Sequence, residues 1–129
     1  MGNRILFVCA GNTCRSPMAA AIAASALPHT TVESAGWSPQ DAIAGKAISV
    51  VKEMTGRDIS AQRPRDVAEI DLAQFDLVVV LEPRVAEELD VPSHTTLLVW
   101  DVPDPYGRSL DDCRQCAEDL RVRIEELGP

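Results

Sequence analysis

Five residues separate Cys9 from Arg15, and the segment Cys9-Ala10-Gly11-Asn12-Thr13-Cys14-Arg15-Ser16 holds the groups that thiol chemistry on an oxyanion requires. A short loop between a strand end and a helix start can aim successive backbone N–H groups at one point, and the free N–H groups of the first helical turn add to them. Residues 10–16 are expected to form such an anion cradle. Gly11 and Asn12 both tolerate positive φ, which a tight loop of this kind uses. Arg15 offers a planar fork that matches two phosphate oxygens. The same positive field favours the thiolate of Cys9, which is the nucleophilic form. Ser16 is placed to donate a hydrogen bond to that sulfur. A buried cysteine before a capped helix would be mere packing, but strand, glycine loop, C-x5-R-S and proline-started helix together point to chemistry.

The elements that must hold this loop can be read around it. Residues 4–9 (RILFVC) form a short apolar run that breaks at Ala10-Gly11-Asn12, as a buried strand entering a loop does. Ser16 as N-cap and Pro17 at the first helical position open an alanine-rich helix that Pro28 stops. Further strands are expected at 31–35, 74–81 and 95–100, and helices at 42–54, 84–89 and 110–127. In the last, Leu110, Cys113, Ala117, Leu120, Ile124 and Leu127 recur three and four apart. Strands alternating with helices predict an α/β, three-layer sandwich, a four-stranded parallel sheet with helices on both faces, in one domain spanning residues 1–129. Ligands of such sheets sit beyond the carboxyl ends of the strands, where Cys9, Ser34, Glu82 and Asp101 fall.

Residues 9–18 (CAGNTCRSPM), 33–36 (ESAG), 56–60 (GRDIS), 75–81 (FDLVVVL) and 104–107 (DPYG) resemble the low-molecular-weight protein tyrosine phosphatases, whose flavodoxin-like topology is shared by thioredoxin-coupled arsenate reductases and bacterial protein arginine phosphatases. The resemblance implies a cysteine-dependent hydrolase acting on a phosphorylated protein. Cys9 would attack phosphorus, Arg15 would hold the equatorial oxygens, and Asp104 of the DP motif would protonate the leaving oxygen. It also implies that Ser34 braces the loop through Asn12, that Tyr106 and Trp37 wall a slot for an aromatic ring, and that Cys14 can form a disulfide with Cys9 that shelters it from overoxidation. Some relatives add a histidine to the Ser34 network, where this chain has Gln62. Thr13 stands where phosphotyrosine-specific relatives commonly carry a bulky aliphatic residue and phosphoarginine-specific ones carry threonine. Phosphotyrosine is expected first, with phosphoarginine beside it.

An arsenate reductase of the same fold is the alternative. Its extra cysteines usually follow the third strand, where this chain has Leu81-Glu82-Pro83-Arg84. Cys113 and Cys116 then read as packing cysteines of the last helix. A zinc site made from Cys9, Cys14, Cys113 and Cys116 would consume the nucleophile and leave Arg15 and Asp104 without a role. No metal and no cofactor are expected.

Composition narrows the partners. The chain has 129 residues, 46% hydrophobic and 25% charged, and twelve Lys plus Arg against twenty Asp plus Glu give a formal charge of −8. That sign disfavours nucleic acid. The longest uncharged stretch, 16–32, contains two prolines and a histidine and is no membrane span. A cytoplasmic monomer is expected, binding phosphate or similar oxyanions through a local positive field. Arg63, Arg65 and Arg108 are candidates for the rim of that field.

Overall fold

A computed structural model describes residues 3–127; the ends of the expected 1–129 span lie outside it. Four parallel strands, β1 (Arg4–Cys9), β2 (Thr31–Gly36), β3 (Leu77–Val80) and β4 (Thr96–Val99), form one sheet in the order β2-β1-β3-β4. Four α-helices complete the alternation: α1 (Arg15–Ala26), α2 (Gly45–Thr55), α3 (Pro83–Glu88) and α4 (Leu110–Glu126). The architecture matches the predicted α/β sandwich.

Side-chain alternation along β1 sorts the core into two layers. Ile5, Phe7 and Cys9 pack with residues of α1, α2 and α4, while Leu6 and Val8 pack with Val67, Phe75 and Val85 on the other face. Helix α1 is enclosed by sheet, α2 and α4, which accounts for a helix without charge beyond Arg15; its alanines allow the close approach. Because β1 is central, its connection to β2 leaves on one side and β3 lies on the other. The loop after Cys9 therefore opens into the crevice where such sheets bind ligands.

Several boundaries differ from the sequence expectation. Helix α1 begins at Arg15 with Cys14 as N-cap and no side-chain cap, so Ser16 is not the capping residue; its hydroxyl is engaged in the loop. Pro17 is tolerated inside the first turn because N–H groups there have no intrahelical acceptor. Helix α2 starts at Gly45 rather than 42, since residues 37–44 are spent bonding to the loop. Strand β3 is shorter than 74–81, its predicted start being a 3-10 turn at Leu72–Gln74 capped by the Asp71 carboxylate.

Candidate active site

Where the backbone polar groups of the loop go determines what it can bind. The carbonyls of Cys9, Ala10, Gly11 and Thr13 accept from Trp37, Ser38, Gln40 and Ala44 at 2.8 to 3.0 Å, and that of Cys14 accepts from Met18 at 3.1 Å. No backbone N–H from residues 10–16 donates to an acceptor among the described residues. The loop thus turns its carbonyls outward to the 37–44 segment and keeps its donors free, which is the polarity of an anion cradle.

Asn12 holds this shape. It is the one non-glycine residue with positive φ among those described, at 52°, and Gly11 does not take the left-handed conformation expected of it. Its amide is fully used: Nδ2 donates to Ser16 Oγ at 2.8 Å and to Ser34 Oγ at 2.9 Å, and Oδ1 accepts from the Arg65 N–H at 2.8 Å. At 1% exposure, an amide lacking those partners would carry a large desolvation cost.

Beneath the loop lies Gly36, opposite Cys9 in the β1–β2 register. A Cβ there would come within 2.9 Å of Asn12 N and of Gly11 C. On sequence Gly36 was only a strand terminus; the ESAG context is the signal that it belongs to the loop.

Cys9 is 2% exposed, and its Sγ lies 2.9 Å from Ser16 Oγ. The Ser16 hydroxyl has one proton and a second acceptor, the Ala35 carbonyl at 3.3 Å. With a thiol at Cys9 that proton can serve Ala35; with a thiolate it turns to sulfur, the nearer acceptor, while Asn12 still donates to the oxygen.

Arg15, 3% exposed, is anchored by groups from the segments that follow β3 and β4. Its Nη1 donates to the carbonyls of Leu81 at 3.0 Å and Val102 at 2.8 Å. Its Nη2 meets acids: Glu82 Oε1 at 3.2 Å and Asp104 Oδ2 at 3.7 Å. The other Asp104 oxygen accepts from the Tyr106 N–H at 3.0 Å, fixing a carboxylate that is half exposed. Glu82, noted on sequence only for its position at a strand end, and the carbonyls of Leu81 and Val102 are the groups that aim the arginine.

The remaining candidates disperse. Thr13 is buried in the loop. Trp37 and Tyr106, both exposed, line different cavities: Trp37 that of Ile70, Leu72 and Leu89, and Tyr106 that of Lys46, Cys14 and Cys113. Cys14 Sγ has Cys113 Sγ, 3.9 Å away, as its hydrogen-bond partner rather than Cys9. Cys116 is buried in α4, and burial, then the charge of Cys113, pushes its thiol up to about 12. Arg65 pairs with Glu33 at 2.7 Å, holding that carboxyl below its usual range, with burial opposing and Arg4 assisting. Arg63 lines a cavity of about 420 Å³ together with Ser34 and Gln62, and Arg108 lines one shared with Asp104. Among the described residues there is no His, Cys, Asp and Glu cluster able to hold a metal, and no helix is long and apolar enough to cross a membrane.

The family model for low molecular weight phosphotyrosine protein phosphatase matches residues 4–128. A solved low molecular weight protein tyrosine phosphatase from T. tengcongensis superposes with a TM-score of 0.84 at 33% identity, covering 98% of this chain and 97% of that one. A protein-arginine-phosphatase from Geobacillus stearothermophilus is 29% identical over 99% of this chain and 95% of its own. A solved arsenate reductase from Archaeoglobus fulgidus has a TM-score of 0.82 at 27% identity, over 95% of this chain and 97% of that one.

Proposed function

The chain belongs to the low molecular weight phosphotyrosine protein phosphatase family, and from that premise we propose that it hydrolyses phosphotyrosine in proteins through a phosphocysteine formed on Cys9. The observation that supports this reading is a loop from Cys9 to Ser16 in which the backbone N–H groups of residues 10–16 find no acceptor among the described residues, with the Ser16 hydroxyl 2.9 Å from the Cys9 sulfur. A phosphate dianion seated on those donors presents phosphorus to the thiolate. The amides of residues 10–16 and the Arg15 fork stabilise the equatorial oxygens as charge moves through the transition state. Asp104, held 3.7 Å from Arg15, donates its proton to the departing phenolate oxygen. The phosphorus–oxygen bond breaks as the phosphorus–sulfur bond forms. In the second half, the Asp104 carboxylate takes a proton from water, the water oxygen attacks phosphorus, and Cys9 leaves as a thiolate received by the Ser16 hydroxyl.

Phosphoarginine is the second reading. It is favoured by Thr13, a small polar side chain buried in the loop, and by the likeness to the protein-arginine-phosphatase. Reduced protein is tested with p-nitrophenyl phosphate, a phosphotyrosine peptide, a phosphoarginine peptide, and arsenate with a thiol reductant, beside Cys9→Ser and Asp104→Asn. Turnover of the phosphotyrosine peptide that requires Cys9 is expected. Preference for the phosphoarginine peptide would transfer the assignment, and arsenite formation without phosphatase turnover would replace it.

A further inference from the structure

Two thiols outside the proposed reaction face each other. Cys14 and Cys113 stand 99 positions apart in sequence, yet their sulfurs are 3.9 Å apart and both are buried. Met18 Sδ lies 3.7 Å from Cys113 Sγ. The pair is not sealed in the core: both cysteines line a cavity of about 230 Å³ whose other walls include Gly45, Lys46, Tyr106 and Gly107, all exposed. A small polar oxidant therefore has a route to both sulfurs. We propose that Cys14 and Cys113 are an oxidation site distinct from Cys9, closing to a disulfide when the protein meets a hydroperoxide and tying the 9–16 loop to α4.

The chemistry balances on the groups present plus the oxidant. The hydrogen bond from Cys14 holds the Cys113 thiol below its ordinary value, with burial opposing and the Lys46 charge assisting, so Cys113 supplies the thiolate. The hydrogen bond to Cys113 and burial push Cys14 the other way, so it keeps its proton. Cys113 sulfur attacks the terminal oxygen of the hydroperoxide, the O–O bond breaks, and the alkoxide or hydroxide released takes up a proton. The Cys14 sulfur then attacks the Cys113 sulfenic acid, the S–S bond forms, and hydroxide leaves with the Cys14 proton as water. Two thiols and one hydroperoxide give one disulfide, one alcohol or water, and one further water. The sulfurs must close from 3.9 Å to a bond of about 2.05 Å, a movement on the scale of side-chain rotation. Cys113, at the first turn of α4, thereby removes Cys14 from the partnership with Cys9 that the family resemblance implies.

The inference does not depend on the phosphatase reading, because its readout is a covalent linkage. Wild-type protein is treated with hydrogen peroxide at neutral pH, its remaining thiols are blocked with iodoacetamide in denaturant, and it is digested without reduction for mass spectrometry. The expected product is a peptide pair joining Cys14 to Cys113, reversed by dithiothreitol, formed equally in Cys9→Ser, with Cys116 recovered alkylated. Cys113→Ala abolishes the linkage while turnover of the reduced protein stays at the wild-type level. Closing so long a loop also raises the thermal midpoint of the oxidised wild type above that of the reduced protein. A Cys9–Cys14 or Cys113–Cys116 bond as the main product, or no Cys14–Cys113 linkage at all, overturns the proposal.

Discussion

Gly36 and Asn12 are in backbone contact: a methyl group on the glycine would stand 2.9 Å from the asparagine nitrogen. The nearest atoms are main chain, which cannot rotate away, so Gly36→Ala must shift the loop. Overpacking of this kind costs about 1–3 kcal/mol. Turnover of p-nitrophenyl phosphate is expected to fall by well over about tenfold, because displaced N–H donors lose the transition state before the fold is lost. Wild-type kcat/KM in Gly36→Ala would remove the loop from the mechanism.

Asn12 carries two burdens that substitutions separate. Asn12→Gly relieves the positive φ and loses three hydrogen bonds; Asn12→Ala loses the bonds and keeps the strain. Both lose activity, and the alanine variant is the less stable by about 1 kcal/mol. Urea denaturation measures the difference, and equal stabilities would show that the conformation is unstrained.

Asp104→Asn keeps a similar shape and cannot give up a proton. Its kcat for a phosphotyrosine peptide is expected to fall roughly 10²–10³-fold, and less for p-nitrophenyl phosphate, whose leaving group needs little protonation. An equal loss on both substrates would assign Asp104 to binding rather than proton transfer.

Cys116 couples folding to alkaline pH. Its folded value of about 12 lies above the ordinary 9.0, so the folded chain binds the proton more tightly than the unfolded one. Its contribution is complete below pH 9 and is lost as pH rises toward 12. Reduced wild type is expected to lose stability across that window more steeply than Cys116→Ala, as followed by thermal melts at stepped pH. Parallel curves would contradict the burial of this thiol.

The strand–loop–helix that carries Cys9 and Arg15 was legible because its groups are contiguous and its apolar runs are strong. What escaped the sequence is what arrives from elsewhere in the chain. The Arg65 N–H that completes Asn12 comes from 53 positions away, and the carbonyls that anchor Arg15 come from the end of β3 and from Val102. No residue type marks a backbone carbonyl for such a task. Ser16 misled because a serine before proline signals a helix cap, whereas its hydroxyl had better partners in Cys9 and Asn12. Cys113 was sorted with the core by its helical spacing, which places it correctly on the buried face but says nothing of the thiol opposite.

Trapping the intermediate is the direct test of attack by Cys9. Asp104→Asn protein, slowed in the water-dependent half-reaction, is mixed with p-nitrophenyl phosphate, quenched in acid, digested and mapped by mass spectrometry. A phosphoryl group is expected on the sulfur of Cys9, absent from Cys9→Ser in the same background. Phosphate released by the Cys9→Ser protein at an undiminished rate, or a phosphoryl group carried by any other residue, would contradict attack by Cys9.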